Sequence, residues 1–152
     1  MSRRAKSKQH PGCPVSASLE LLGDRWSLLI VRDLMIRGFQ TYKDFLGSGE
    51  RIATNILADR LKKLLASGIV EMRPDRGDGR RRNYRLTQKG IDLAPVLLEL
   101  LIWGARHEST AMPCALAEQM EEHRDELLTE VRRRWRQGDA RPLQVNGLWL
   151  WP

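Results

Sequence analysis

The segment that decides the fold is TYKDFLGSGERIATNILADRLKKLLASG, residues 41–68. Thr41 and Asp44 have capping-box spacing, in which a threonine and an acidic residue three positions later start a helix. This pattern predicts a short helix through about Leu46. A polar, glycine-containing turn should follow from Gly47 to Arg51. A second helix begins just after that turn, so the segment has the order helix, turn, helix.

The second helix of this segment is amphipathic. At about 100° per residue, its leucines fall on one face and its polar residues on the other. The apolar face carries Leu57, Leu61, Leu64 and Leu65, and the polar face carries Asn55, Asp59, Lys62 and Lys63. Gly68 is expected to end the helix, because glycine is favoured just beyond a helix C-terminus.

A charged hairpin follows. Ile69 to Arg73 and Arg81 to Leu86 are predicted to pair as strands, and the glycines at 77 and 79 permit a tight turn between them. The stretch PDRGDGRRRNYRLTQKG, residues 74–90, carries five arginines against two aspartates. Its guanidinium groups suit DNA phosphates or a minor groove. The alternative is a hairpin tip that is merely solvated.

Helices and tails are expected on both sides of this unit. Pro95 should kink the long helix that follows the hairpin. The tail from Asp139 ends in Leu148-Trp149-Leu150-Trp151, which is apolar enough to need covering. Cys13-Pro14 is predicted to open a first helix over Val15–Leu22, and a second helix is predicted from near Asp24 to Gly38. A long helix is predicted from Thr87 to about His107, and a last one from roughly Cys114 to Arg136.

The order of these elements predicts a mainly α fold with a small β-hairpin. It matches a winged helix-turn-helix with extra C-terminal dimerisation helices. Three regions are expected: a disordered basic arm over residues 1–12, the DNA-binding domain over 13–108, and a C-terminal helix and tail over 109–152.

Composition narrows the class of partner. The chain has 152 residues, a formal net charge of +7 and a pI near 10.0, which favours a polyanion such as nucleic acid. No apolar run is long enough to cross a bilayer, and no secretory signal is visible, so the cytoplasm is the expected compartment. No nucleophile–base pair, phosphate loop or metal-ligand spacing stands out. We therefore expect neither an enzyme nor a metal or other cofactor.

Several motifs together resemble the HxlR-type transcriptional regulators, winged helix proteins related to the MarR group. They are CPVSASLELLGDRWSLLIVRDL from Cys13, TYKDF from Thr41, IATNILADRLKKLLASGIV from Ile52, and NYRLTQKG from Asn83. The resemblance runs to about His107 and implies a homodimer that binds operator DNA near a promoter. The family usually has glycine where this chain has Arg51. If that position needs a positive φ, arginine is strained there.

Within this frame, the start of the second helix is the candidate base-reading surface. Asparagine can pair with adenine and aspartate can accept from cytosine, whereas Lys62 and Arg51 suit phosphate. Arg60 lies nearer the apolar face and is expected to pair with Asp44 or Asp33. The alternative is an ordinary solvated helix face. The full candidate set is Thr54, Asn55, Ala58, Asp59, Lys62 and Arg51 on the helix, and Arg76, Arg80, Arg81 and Arg82 on the wing, with Arg85 also considered.

Cys13 is a candidate redox or electrophile sensor. A thiol at a helix N-terminus gains from the helix dipole, and the resemblance implies that some relatives sense oxidants through a cysteine here. The alternative is an inert thiol. Pairing with Cys114 across a dimer is not indicated by any spacing.

The leucine-rich helices suggest a dimer surface. Their apolar residues exceed what a small helix-turn-helix core should need, so a two-fold partner is expected to bury them. The alternative is that the last helix folds back on its own chain. The candidate interface residues are Leu97, Leu101, Trp103, Leu116, Met120, Leu127, Val131 and Trp135.

The leading hypothesis is a homodimeric regulator that binds double-stranded DNA at a pseudo-palindromic operator and responds to redox, electrophile or small-molecule signals. The competing hypothesis is a non-catalytic winged-helix module that binds protein or RNA. The hairpin lacks the aromatic platforms typical of single-strand RNA readers.

Overall fold

A computed structural model describes residues 12–145 and 148–149 of the chain. Most of the predicted basic arm, and the end of the apolar tail, lie outside the described residues. The helices are α1 (Pro14–Leu22), α2 (Ser27–Arg32), α3 (Tyr42–Leu46), α4 (Thr54–Ala66), α5 (Gln88–Ile91), α6 (Ala94–His107), α7 (Cys114–Glu122) and α8 (Arg124–Gln137). The strands are β1 (Val70–Pro74), β2 (Arg82–Leu86), β3 (Gln144–Val145) and β4 (Leu148–Trp149).

The elements form a mainly helical fold around two short antiparallel ribbons. In the larger ribbon, Val70 pairs with Leu86 and Pro74 with Arg82. In the smaller ribbon, β3 pairs with β4. The predicted hairpin over residues 69–86 is therefore confirmed to within one residue at each strand boundary.

The capping box predicted at Thr41 is present. The Thr41 Oγ1 accepts from the Asp44 backbone N–H at 3.2 Å, and Asp44 Oδ2 accepts from the Thr41 N–H at 2.9 Å. Asp44 also accepts from the Gln40 N–H at 3.0 Å. Burial acts to raise the pKa of the Asp44 carboxyl, but these backbone donors lower it overall. The charged carboxylate thus fixes the start of α3.

The helix predicted from near Asp24 to Gly38 begins at Ser27 as α2 and contains a feature that the sequence did not indicate. Asp24 Oδ1 accepts from the backbone N–H groups of Trp26 and Ser27, each at 2.9 Å, and so starts the helix. From Asp33 the helix continues as a π-helix through Arg37. Gly38 then ends it at φ 74°, a left-handed conformation that glycine adopts without strain.

Two predicted helices are each divided in the structure. The helix expected from Thr87 to His107 ends at Ile91 and restarts at Ala94, with Pro95 in the first turn of α6. Proline is tolerated there because no intrahelical bond is lost, so it begins a helix rather than kinking one. The helix expected from Cys114 to Arg136 breaks at His123, where φ is −107° and ψ is 27°.

The core consists of two packed clusters of apolar side chains. One joins α2, α3 and α4 to the hairpin through Val31, Phe45 and Leu57, among others. The other joins the π-helix, α6, α7 and α8, and includes Ile36 and Met120. The second cluster crosses the domain boundary predicted at residues 108–109, because Ile36 precedes that boundary and Met120 follows it.

This packing corrects the expectation that a partner must bury the C-terminal stripes. The last two helices fold back on their own chain, which was the alternative left open. Leu97, Leu116, Met120 and Leu127 are buried within one chain, and Leu101, Val131 and Trp135 are half-buried against the clusters. Trp103 is 56% exposed, so of the expected interface residues it is the one left uncovered.

Candidate nucleic-acid interface

The outer face of α4 presents the residues expected to read DNA. The leucines at 57, 61 and 64 are buried beneath it, which turns the polar side outward. Among the described residues, the side chains of Asn55 and Lys62 have no hydrogen-bond partner. All six candidates are exposed: Arg51, Thr54, Asn55, Ala58, Asp59 and Lys62.

The turn that leads into α4 is held by a buried arginine. Arg32 is 4% exposed, and its Nη1 donates to Glu50 Oε1 at 3.0 Å. Arg37 Nη1 donates to the Ser48 carbonyl at 3.0 Å. Because both arginines lie on α2 and its π-helical extension, they attach the turn directly to the first part of the fold.

Asp33 pairs with both arginines of this network. Its Oδ1 accepts from Arg32 Nε at 2.9 Å and Nη2 at 2.7 Å, and lies 3.4 Å from Arg37 Nη1. Burial raises the pKa of the Asp33 carboxyl, and the two arginines only partly offset that rise. Sequence reasoning missed this cluster, although an adjacent Arg-Asp pair inside the nearly apolar stretch from Trp26 to Ile36 was a visible signal.

Arg51 adopts φ 58° at the end of this turn and is the only non-glycine residue with positive φ in the described chain. The sequence drew attention to this position because the family resemblance implies a glycine where this chain has Arg51. Gly49 also has positive φ, at 87°, so the turn uses two left-handed positions. The Glu50 contact with Arg32 lies immediately before Arg51 and helps to hold the strained backbone in place.

Arg60 is structural, as expected, but its partner is neither Asp44 nor Asp33. Its Nε lies 3.2 Å from Asp24 Oδ1, and Lys63 Nζ lies 3.9 Å from the second oxygen of the same carboxylate. Asp44 is engaged in the capping box and Asp33 in the arginine network. Asp24 therefore starts α2 and also ties it to α4.

The wing tip is organised by Asp75. Its Oδ2 accepts from the backbone N–H groups of Gly77 and Asp78, and its Oδ1 accepts from Asn83 Nδ2 at 2.8 Å. These donors lower the pKa of the Asp75 carboxyl, with the Asn83 amide contributing most. The tip is thus shaped by one carboxylate that is charged at neutral pH.

The wing arginines fall into two groups. Arg80, Arg81 and Arg82 are exposed, and Arg81 lies 3.6 Å from Asp78. Arg76 is exposed but its guanidinium lies against Gly138 at the end of α8. Arg85, also considered as a DNA contact, instead turns inward, and its Nη2 donates to the Trp135 carbonyl at 2.5 Å.

An aromatic seam fixes the wing to the helix-turn-helix. The Phe45 ring meets Phe39 and Tyr84 edge to face, with centroids 6.1 and 6.0 Å apart. The Tyr84 backbone N–H donates to the Gln40 carbonyl at 2.8 Å. Because Phe45 belongs to α3, wing and helices share one packed unit.

Cys13 lies where the sequence placed it, exposed at the N-terminus of α1. The backbone N–H groups of Ser16 and then Val15 lower the pKa of its thiol. Cys114 is also exposed, at the start of α7, with its Sγ 3.6 Å from the Ala105 carbonyl oxygen. Both thiols are free in this structure.

Across residues 12–145, no group of three His, Cys, Asp or Glu side chains is placed to hold a metal ion. None of the described helices is long and apolar enough to span a membrane. An open apolar cavity of about 370 Å³ lies between α2 and α6. Its lining is Leu28, Leu29, Arg32, Leu97, Leu100, Leu101, Gly104, Thr110, Ala111 and Met112.

This arrangement agrees with the comparison to known protein families. A family model described as HxlR-like helix-turn-helix matches residues 21–112. The chain belongs to this family. The match confirms the resemblance drawn from the sequence motifs, and it covers α2 to α6 and the wing but excludes α7 and α8.

Relatives of this HxlR-like chain are named as regulators. It is 36% identical over 100 residues to the uncharacterized HTH-type transcriptional regulator Rv3095 of Mycobacterium tuberculosis, covering 64% of this chain and 61% of the relative. It is 35% identical over 93 residues to the HTH-type transcriptional regulator YodB of Bacillus subtilis, covering 60% of this chain and 82% of YodB. The chain thus spans less than two thirds of the length of the mycobacterial relative.

Solved structures of similar shape include PA1607, with a TM-score of 0.61 and 37% identity over 67% of this chain and 70% of that one. The reduced form of the regulator YodB from B. subtilis has a TM-score of 0.52 and 32% identity, covering 63% of this chain and 94% of YodB. The redox regulator HypR in its oxidized form has a TM-score of 0.54 and 25% identity, covering 64% of this chain and all of HypR. These neighbours confirm the predicted winged helix-turn-helix class.

The strained turn leads to a stability prediction. A non-glycine residue in the left-handed region costs roughly 1–2 kcal/mol, which glycine avoids, although glycine also loses more chain entropy on folding. We expect Arg51→Gly to be more stable than Arg51→Ala by about 1 kcal/mol, because alanine keeps the strain. Both variants lack the guanidinium, so urea denaturation compares backbone effects alone. Equal midpoints would show that φ at this position relaxes without cost.

Proposed function

We propose that this protein is a transcriptional regulator that binds double-stranded DNA sequence-specifically as a homodimer. One observation carries the proposal. The exposed polar face of α4 and the exposed arginines of the wing belong to a single helix-turn-helix unit, held together by the aromatic seam and the Arg32 network. Such a regulator acts where the chromosome is, which in bacteria is the cytoplasm.

In this proposal, the first turns of α4 enter the major groove. Asn55 would pair with an adenine, and Asp59 would accept from a cytosine amino group. Thr54 and Ala58 lie beside them and contact base edges or methyl groups. Lys62 and Arg51 neutralise phosphates on either side.

The wing supplies contacts that do not depend on base sequence. Arg80, Arg81 and Arg82 have the exposure and charge to reach phosphates or an adjacent minor groove. Arg76 lies in the turn at the wing tip and completes the set, although it would have to leave Gly138 to touch DNA.

A two-part DNA prediction tests this assignment. Asn55→Ala should weaken operator binding by roughly 1–3 kcal/mol and relax discrimination at one base pair. Arg80→Ala should weaken binding to every duplex and reduce the slope of log K against log salt by about one unit. Fluorescence anisotropy with duplexes from upstream of the gene and shuffled duplexes, over a salt series, measures both effects.

The outcomes separate the competing functions. If Asn55→Ala leaves operator preference intact, α4 does not read bases. If the wild-type chain prefers single-stranded RNA over duplex DNA, the alternative winged-helix module replaces this proposal. Equal affinities for all duplexes that collapse together with salt would leave only a basic protein that sticks to phosphate.

The predicted interface residues are mostly buried within one chain, so we propose that the dimer surface is formed by apolar side chains that remain exposed. They lie on α1 and on the outer face of α6, next to the open cavity that Leu97 and Leu101 help to line. Burying them in a two-fold interface would present two recognition helices to the two half-sites of a pseudo-palindromic operator. The exposed residues are Val15, Leu19, Val96, Leu100 and Trp103.

Leu100→Asp tests the interface. It places a charge among these apolar groups, so sedimentation equilibrium should show a shift toward monomer with an unchanged circular dichroism spectrum. Leu46→Asp is the matched control, because Leu46 is also exposed but lies on α3. A Leu100→Asp protein that remains as dimeric as the control would place the interface elsewhere.

We further propose that Cys13 is a redox or electrophile sensor. Its exposure and lowered thiol pKa favour the reactive thiolate, and two structural neighbours are named as a reduced form and as an oxidized redox regulator. Cys114 is also exposed, but its Sγ lies 3.6 Å from the Ala105 carbonyl oxygen, and it serves as the internal control. Separately, we propose that the apolar cavity between α2 and α6 could bind a small-molecule effector that regulates the protein.

A cysteine comparison tests the sensor. Cys13 should react faster than Cys114 with a maleimide or diamide at pH 7, because the backbone N–H groups of Ser16 and Val15 stabilise its thiolate. Mass spectrometry of the labelled peptides gives both rates in one protein. Cys13→Ser should keep DNA binding but lose its response to oxidant. An oxidant response that persists in Cys13→Ser would remove Cys13 from the mechanism.

A further inference from the structure

The C-terminal helix α8 lies outside the matched family region yet packs directly on the wing. Trp135 Nε1 donates to the Leu86 carbonyl of β2 at 2.8 Å. In return, Arg85 Nη2 donates to the Trp135 carbonyl at 2.5 Å, and its guanidinium lies 5.4 Å from the Trp135 ring centroid. Two consecutive residues of the wing strand are thus bonded to one residue of α8.

The end of α8 holds a second wing arginine. Gly138 ends the helix at φ 67°, and a Cβ added there would lie 2.7 Å from Arg76 Nη2. The carbonyl end of a helix carries the negative pole of its dipole, which favours a guanidinium at this place. Of the five arginines in the stretch 74–90, Arg76 and Arg85 therefore contact the end of α8. The other three, which are Arg80, Arg81 and Arg82, are exposed on the wing.

The segment after α8 is anchored to the end of the π-helix. The Leu143 backbone N–H donates to the Ile36 carbonyl at 2.7 Å. The Ala140 carbonyl packs so closely on Gly38 that an added Cβ there would overlap it. Gly38 leads into Gln40, whose carbonyl accepts from the Tyr84 N–H, so this contact also supports the wing.

Asp139 stiffens the turn between these two anchors. Its Oδ2 lies 3.4 Å from Arg134 Nε and 2.7 Å from Arg141 Nη2. Hydrogen bonds from Arg141 are the main cause of the strongly lowered pKa of the Asp139 carboxyl. The end of α8, the turn and the segment through Leu143 thus form one continuous connection from the wing to the π-helix.

We propose that residues 124–143 are a brace that sets the angle of the wing relative to the recognition helix, and that Trp135 is a positioning residue for DNA binding. The brace rests on the proposed DNA-binding function, since it acts through Arg80, Arg81 and Arg82. The brace binds the wing strand through the Leu86 carbonyl and Arg85. The exposed arginines of the wing are thereby held in one orientation.

The experiment is a double-mutant cycle on DNA affinity with Trp135→Phe. Phenylalanine keeps an aromatic ring but removes the N–H that bonds Leu86. We expect affinity for operator DNA to fall about threefold to tenfold, the value of one lost hydrogen bond. In an Arg80→Ala, Arg81→Ala, Arg82→Ala background, the same change should have no further effect. In an Asn55→Ala background, it should keep its full effect.

Two further variants guard against a trivial loss of fold. Arg85→Lys keeps the charge but removes the planar fork, and it should reproduce the Trp135→Phe effect. Thr129→Ala, on the exposed side of α8, is the matched control and should bind like wild type. Amide hydrogen exchange should become faster in residues 82–86 for both brace variants while α4 stays protected.

The possible results separate the two proposals. If the wild-type chain binds no duplex, the DNA-binding function fails, and exchange in residues 82–86 alone decides the brace. Unchanged exchange in the Trp135→Phe variant overturns it. If wild type binds DNA and Trp135→Phe binds equally well, the wing is not positioned by α8. The same conclusion follows if Trp135→Phe lowers affinity by the same factor whether the wing arginines are present or replaced by alanine.

Discussion

The buried guanidinium of Arg32 is the constraint on which the helix-turn-helix depends. A charge this far from water is stable only when it is paired and hydrogen-bonded, so Asp33 and Glu50 must both lie where they do. Glu50 belongs to the turn before α4, so pairing it with Arg32 fixes how the chain enters α4. The strained Arg51 is a local consequence: the backbone accepts a left-handed position because its neighbour is fixed.

The wing depends on contacts from three directions. Asp75 shapes its tip, Phe45 and Tyr84 join it to α3, and Trp135 holds its second strand from outside the family core. An isolated two-stranded hairpin is marginal in water, so support of this kind is needed for a wing of defined orientation. The exposed arginines then sit on a rigid base, which suits recognition of a rigid duplex.

Local features could be predicted because their causes lie within a few residues. The capping box at Thr41 needs only Asp44, and the amphipathic face of α4 needs only the leucine spacing. The same holds for the outward exposure of Asn55, Asp59 and Lys62. Whether a helix is continuous was harder to predict. Pro95 indicated an irregularity, but whether it kinks one helix or begins another depends on which residue caps the break.

The sequence by itself determined the helix-turn-helix segment, the polar face of α4 and the arginine-rich hairpin, because periodicity and capping are short-range. Tertiary structure alone decided the partners. Asp24 rather than Asp44 meets Arg60, and Arg85 bonds a carbonyl fifty positions away instead of facing DNA. Folding α7 and α8 back covered leucines that a dimer was expected to cover. Such choices depend on which distant surfaces meet, and an arginine or a leucine suits several partners equally until packing selects one.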